Sequence, residues 1–140
     1  MKKVLIKIKG TQGLDGEEAV IELVTEGILK RFENDYIITY YEDETVEGSK
    51  TKTQLTVKSD KTVILERRGA LNSRFLITEG ERNNCLYTVS QGSLTLGIYG
   101  KEVTADLTEC GGTVKMVYTI DANLEPLSEN KVEIFVEERK

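Results

Sequence analysis

The sequence lacks histidine and tryptophan and holds one proline, Pro126, among its 140 residues. Histidine is the side chain that titrates near neutral pH, so its absence excludes Ser–His and Cys–His catalytic pairs and histidine-ligated zinc. Cys85 and Cys110 form no CxxC pair, and we expect two reduced thiols rather than a disulfide or a metal site. No motif for a cofactor is present, so none is expected. These absences favour a binding protein over an enzyme.

Helix-favouring residues are scarce as well. Alanine, the best helix former, occurs four times, whereas valine, isoleucine and threonine number 12, 11 and 15. Branched side chains fit the pleated, half-buried surface of a sheet. The chain length lies within the ~100–200 residues usual for one domain. The composition therefore predicts a single all-β domain over residues 1–140.

Charge and hydropathy limit the kinds of partner that this protein is expected to bind. The chain has 24 acidic and 19 basic residues, and a net charge of −5 argues against nucleic acid as a partner. No segment approaches the ~20 apolar residues of a membrane helix. The basic N-terminus is interrupted at strand spacing by Lys7 and Lys9, which favours a first strand over a signal peptide. We expect a cytoplasmic protein without a membrane partner, and homo-oligomerisation stays open.

Apolar and polar residues alternate with period two along most of the chain, which is the pattern of half-buried strands. About ten to eleven strands are predicted, at residues 3–9, 19–32, 36–42, 51–58, 62–68, 71–78, 84–90, 94–99, 103–107, 113–121 and 132–137. Residues 10–18 are expected to form a flexible loop or to hide a short helix. Short connections between consecutive strands favour a closed up-and-down barrel over a sandwich.

Several segments together resemble one family. They are VLIKIKGTQ (4–12), IELVTEG (21–27), the hairpin arm YIITYYE (36–42), ERRGALNSRF (66–75), GSLTLGIY (92–99), GGTVKMVYTI (111–120) and LSENKVEI (127–134). The sequence resembles the YwiB-like family of small uncharacterised bacterial proteins, whose members form a calycin-type barrel similar to lipocalins. The resemblance implies a single antiparallel up-and-down barrel of about 8–11 strands and implies no activity.

Arg67 is the residue most open to a functional interpretation. It shares strand parity with Val63 and Leu65, so it points inward if they do. A buried guanidinium needs partners, because leaving it bare costs several kcal/mol. The candidate partners are backbone carbonyls and polar side chains of other strands, namely Tyr87, Tyr118, Glu22 and Glu26. Arg67 is either an anion anchor at the floor of a ligand cavity or a plug that closes one end of the barrel.

The remaining candidates would surround a cavity within the barrel. The predicted ligand-binding set is Arg67, Tyr87, Tyr118, Tyr40 and Glu26, with loops 10–18 and 43–50 at the mouth. Tyrosine combines a large apolar ring with a polar tip, which suits a small-molecule cavity as well as a filled core. The leading hypothesis is a barrel that binds an apolar or weakly anionic small molecule. The alternative is a filled barrel that acts as a protein-interaction or assembly module without such a ligand.

Overall fold

The computed structural model of the protein describes residues 1–14, 17–43, 50–69, 72–89 and 92–139. Within these ranges no helix is long and apolar enough to cross a membrane. The described elements are ten strands: β1 (Lys2–Leu14), β2 (Glu17–Phe32), β3 (Asp35–Asp43), β4 (Lys50–Val57), β5 (Thr62–Arg68), β6 (Asn72–Thr78), β7 (Arg82–Val89), β8 (Gly92–Thr108), β9 (Gly111–Ala122) and β10 (Glu125–Glu138).

Each strand pairs antiparallel with its neighbours in sequence, and β1 pairs with both β2 and β10. The sheet therefore closes on itself as a ten-stranded barrel and leaves the first and last strands without a free edge. The all-β, up-and-down barrel predicted from the sequence is confirmed, and a calycin-like description suits this topology.

Three details differ from the predicted strands. The predicted strands 94–99 and 103–107 are one strand, β8, because Lys101 is an extra residue between Gly100 and Glu102 that bends the strand without ending it. The expected loop around Pro126 is the first part of β10, where the register shifts between Pro126 and Ser128 and so accommodates a residue that has no N–H. Residues 10–14 extend β1, and Asp15 and Gly16 lie outside the described residues.

The core lies inside the barrel, on the face predicted by period-two alternation. Its largest fully buried side chains are Ile6, Ile38, Leu55, Ile77, Ile98, Met116 and Ile134. Because Gly27 of β2 has no side chain, Ile6 of β1 and Thr39 of β3 lie close to the β2 backbone. A Cβ atom added at Gly27 would lie 2.5 Å from Ile6 Cδ1 and 2.5 Å from the Thr39 carbonyl oxygen. Any larger residue would therefore push the barrel wall apart, although pairing between β2 and β3 is regular at this point.

Backbone pairing is sparse between β6 and β7. These strands share two residue pairs, the second being Ser73 with Tyr87. Further along, side chains substitute for the missing backbone bonds: the Leu76 N–H donates to Cys85 Sγ at 3.4 Å, and Asn83 Nδ2 donates to the Leu76 carbonyl at 3.2 Å. The barrel is thus closed at this seam by side chains of β7.

Consecutive strands run in opposite directions, so each end of the barrel can be defined by the strands that finish there. We call the end at which β1, β3, β5, β7 and β9 finish the upper end, and the other the lower end. The predicted mouth loops 10–18 and 43–50 both connect strands at the upper end. Of these loops, residues 15–16 and 44–49 lie outside the described residues.

Candidate functional site

The upper half of the barrel encloses a cavity of about 510 Å³. Its floor is apolar and includes Leu55, Leu65, Met116 and Ile134, all of which are buried. Its rim reaches solvent, since the lining residue Ile21 is 57% exposed. This volume lies within the ~300–1,000 Å³ typical of small-molecule sites. The side chains of the described residues therefore leave part of the interior unfilled.

Arg67 lines this cavity, and strand parity correctly placed it on the same face as Val63 and Leu65. It lies on the wall near the mouth, however, and not at the floor, because it is the penultimate residue of β5 at the upper end. Its side chain is 43% exposed, yet its Nε atom is buried and has no hydrogen-bond partner. A buried N–H without an acceptor costs about 1–3 kcal/mol, and the exposed part of the same side chain lines the cavity.

Glu42 forms an ion pair with Arg67, whereas Glu22 and Glu26 were predicted from the sequence as partners; of these two, Glu22 also lines the cavity. Glu42 Oε2 lies 3.7 Å from Arg67 Nε and accepts a hydrogen bond of 2.8 Å from Thr53 Oγ1. Thr53 is fully buried and is the cross-strand neighbour of Arg67, so it holds the carboxylate in place. The signal for Glu42 was present in the sequence, because Glu42 shares strand parity with buried residues of β3.

Tyr40 and Tyr118 are buried side chains that line the cavity, as predicted. Burial raises the pKa of Tyr40, and the charge of Glu42 raises it further, while Arg67 acts in the opposite direction. Burial also raises the pKa of Tyr118, against the opposing effect of Arg67. Both phenols therefore stay protonated at neutral pH and retain an O–H that can donate to a ligand.

The structure does not bring Tyr87 and Glu26 into the cavity wall. Tyr87 is half-buried, and its ring centroid lies 6.4 Å from that of Phe75, which itself lines the cavity. Glu26 is on the outer surface, 67% exposed, in an ion pair with Arg139. The expectation that Glu26 faces the interior is wrong, because its neighbour Gly27 occupies the inward position on β2.

A second polar group of the cavity wall was missed from the sequence. Asn130 is buried, lines the cavity, and donates a hydrogen bond of 3.0 Å from Nδ2 to the buried Ser128 Oγ. It pairs across the sheet with Gln12 on one side and Tyr118 on the other. Sequence reasoning assigned this segment to a loop, so the inward parity of Asn130 could not be recognised.

Neither cysteine is among the described residues that line this cavity. Cys85 is buried, Cys110 is exposed, and both are free thiols. Among the described residues, no group of three or more histidine, cysteine, aspartate or glutamate side chains could hold a metal ion. The described polar side chains that line the cavity are those of Arg67, Glu42, Tyr40, Tyr118 and Asn130, together with Thr11, Gln12 and Glu22.

Comparison with known proteins identifies the fold and the family. A family model described as "Domain of unknown function (DUF1934)" matches residues 6–134. The chain belongs to this family. The DUF1934 chain is 29% identical over 115 residues to the "Uncharacterized beta-barrel protein YwiB" of Bacillus subtilis (strain 168), covering 82% of this chain and 79% of that protein. The YwiB-like resemblance inferred from the sequence is thus confirmed.

A solved structure supports the same assignment. The crystal structure of ywiB protein from Bacillus subtilis superimposes with a TM-score of 0.87 at 25% identity, covering 99% of this chain and 93% of that one. These descriptions identify a DUF1934 β-barrel and name no activity.

Proposed function

We propose that this DUF1934 protein binds a small organic molecule with an apolar body and one weakly anionic group, such as a carboxylate, in the cavity at the upper end. The observation that carries the proposal is Arg67, whose side chain lines a cavity of about 510 Å³ and whose buried Nε has no hydrogen-bond partner among the described residues. Arginine presents a planar, forked set of donors that matches a carboxylate. The proposed role is binding without a chemical step.

The arrangement of the lining supports one orientation of such a ligand. Apolar side chains such as Leu65 and Met116 form the floor, whereas Arg67 lies on the wall near the mouth. An apolar body would enter first and remove apolar surface from water, which contributes about 25 cal/mol per Å². The anionic group would then stay near the mouth, next to Arg67 and within the part of the barrel that holds Tyr40 and Tyr118.

Two observations weigh against the alternative roles considered from the sequence. A plug would close one end of the barrel, but the Arg67 side chain is 43% exposed and stands beside open volume. An assembly module with a filled barrel would have little interior volume, whereas this barrel keeps about 510 Å³. Both observations favour a ligand site, and a binding experiment can decide.

The test compares two probes that differ in their head group. Octanoate and 1-octanol are titrated into the full chain by isothermal calorimetry, with the wild type and the variants Arg67→Met and Arg68→Met. Arg68 is a matched control, because it is the next residue, lies outside the barrel at 78% exposure, and pairs with Glu66 at the same distance of 3.7 Å. We expect octanoate to bind the wild type more tightly than octanol does.

In Arg67→Met, octanoate affinity should fall about tenfold or more, the loss expected for a charge-assisted hydrogen bond. Octanol affinity should change little in that variant, and Arg68→Met should bind both probes like the wild type. Equal losses in the Arg67 and Arg68 variants, or no binding of either probe to the wild type, would reject the proposal.

A further inference from the structure

The lower end of the barrel carries a strand that outruns one of its neighbours. β8 has 17 residues and β7 has 8, and β7 pairs only with the first part of β8, as far as Tyr99. From Glu102 to Thr108, β8 pairs with β9 on one side. Among the described strands, none pairs with this part of β8 on its other side. The lower part of β8 is therefore an open sheet edge.

The register shows which backbone groups face outward along this edge. The Val103 N–H points away from β9, because it donates to Glu79 Oε1 at 3.1 Å. In an antiparallel ladder the outward direction repeats every second residue, so the N–H and C=O of Ala105 and Leu107 also point away from β9. Glu79 occupies the position of a strand partner for Val103 alone. The next two outward residues present their backbone groups to the space beside β8.

That space is a slit of about 360 Å³ between the open edge and the lower ends of β3 and β4. Val103 and Leu107 line it from the edge, and Tyr36 and Val57 line it from the opposite wall. The slit is distinct from the cavity at the upper end, since the two share no lining residue. An unpaired edge beside an apolar wall matches the requirements of an added β-strand.

The charge of the lining limits which strand would fit. Among the described residues that line the slit, Lys58 and Lys61 are charged and none is acidic. Each lysine forms an ion pair with an acid that is not itself a lining residue. Lys58 pairs with Asp35 at 3.5 Å, and Lys61 pairs with Glu79 at 3.2 Å. Exposed pairs of this kind contribute little, so a carboxylate in the slit can compete for the ammonium groups.

We infer that the lower slit is a docking site for an extended, acidic peptide segment of a partner protein, which adds a strand to the open edge of β8. The peptide would exchange main-chain hydrogen bonds with Ala105 and Leu107. Its inward side chains would be apolar and contact Val57 and Leu107, and a carboxylate would approach Lys58 and Lys61. This inference is independent of the ligand proposed for the upper cavity.

The test uses the full chain, labelled with ¹⁵N, and one defined probe. The probe is a hexapeptide with an acetylated N-terminus. Threonine and valine alternate in its first five residues, and the sixth is a glutamate with a free C-terminal carboxyl group. We expect saturable shifts of the Ala105 and Leu107 amide signals and slower hydrogen exchange at both positions. In Ala105→Pro, which removes an outward N–H and leaves the bonds to β9, the affinity should fall about tenfold.

Charge variants keep the test decisive if the proline variant does not fold. The double variant Lys58→Gln, Lys61→Gln should weaken binding about threefold or more, whereas Lys101→Gln, a lysine paired with Glu129 outside the slit, should leave it unchanged. Binding that is unaffected by the double variant, or shifts confined to other strands, would overturn the inference. A dimer of the unliganded chain that dissociates in Ala105→Pro would assign the edge to a second copy and would also overturn it.

Discussion

Arg67 Nε and Glu42 Oε2 lie 3.7 Å apart, which is close enough for an ion pair and too far for a hydrogen bond. The carboxylate is held by Thr53 Oγ1, at 2.8 Å, and so does not close on the guanidinium. The result is a donor that is attracted to a resident acid and still lacks a hydrogen-bond acceptor. Because both groups lie on the cavity wall, an incoming anion would compete with Glu42 for Arg67.

Removing the charge of Glu42 should therefore favour an anionic ligand. In Glu42→Gln, the amide oxygen can still accept from Thr53, and octanoate affinity should rise about threefold or more because the competing carboxylate is gone. The measurement is the calorimetric titration used for the Arg67 variants. Glu66→Gln is the control, since Glu66 pairs with the outward Arg68. This prediction rests on the proposed function, and weaker octanoate binding in Glu42→Gln would contradict it.

Alkaline pH should destabilise the barrel through its buried tyrosines. The pKa of Tyr40 lies above its ordinary value because of burial, so the unfolded chain releases that proton first. The contribution of Tyr40 to the free energy of unfolding is therefore complete below about pH 10. It is lost as pH rises toward the higher pKa of the folded state, by at most about 1.4 kcal/mol per pH unit for this one group.

Urea unfolding between about pH 9 and 11 measures this slope. Tyr40→Phe should make the slope shallower, because one titrating group is removed. Tyr41→Phe, a change at the adjacent tyrosine that is 56% exposed, should leave the slope as in the wild type. Identical slopes in all three proteins would show that burial of Tyr40 has no thermodynamic effect.

Gly27 should be sensitive to the smallest possible substitution. The added methyl group of Gly27→Ala would lie 2.5 Å from both Ile6 Cδ1 and the Thr39 oxygen, and we expect a loss of about 1–3 kcal/mol. At Gly10 the nearest atoms to an added Cβ are 3.9 Å away, so Gly10→Ala should be neutral or stabilising by up to about 1 kcal/mol. Chemical denaturation of both variants provides the comparison, and equal stabilities would refute the steric explanation.

The side-chain seam between β6 and β7 should depend on Asn83. Asn83→Ala leaves the Leu76 carbonyl without its donor, which should cost about 1 kcal/mol and speed amide exchange in β6. Asn84→Ala is the matched control, because Asn84 is exposed and accepts only from Arg82 among the described contacts. Faster exchange in both variants, to the same extent, would mean that the seam does not rely on Asn83.

Period-two alternation was sufficient to predict the all-β class, the meander of strands and the inward position of Arg67. It succeeds because neighbouring side chains of a strand face opposite sides of the sheet. It failed at Gly100, where a glycine followed by a polar residue has the same local pattern as a turn. The structure has a bulge there, and whether a chain bends or reverses depends on pairing with β9 and on the contact with Gly80.

Parity also misplaced Glu26, because the pattern alone did not establish which of two alternating sets on β2 faces inward. The close approach at Gly27 decided it, and that contact involves Ile6 of β1 and Thr39 of β3. Glu42 gains its role from Thr53 and Arg67 on other strands, and Asn130 lies in a segment that the alternation did not predict as a strand. Relations across strands are not contained in the spacing of residues along one strand.

The sequence by itself determined the fold class, through its branched residues and their alternation, and excluded histidine chemistry through composition. The family could also be recognised from the order of its segments. Only the tertiary structure decided that the barrel keeps an open cavity, that Arg67 lies near the mouth beside Glu42, and that β8 leaves an unpaired edge. Volume, depth and strand overhang depend on how ten strands close around one another, and local side-chain patterns do not specify that closure.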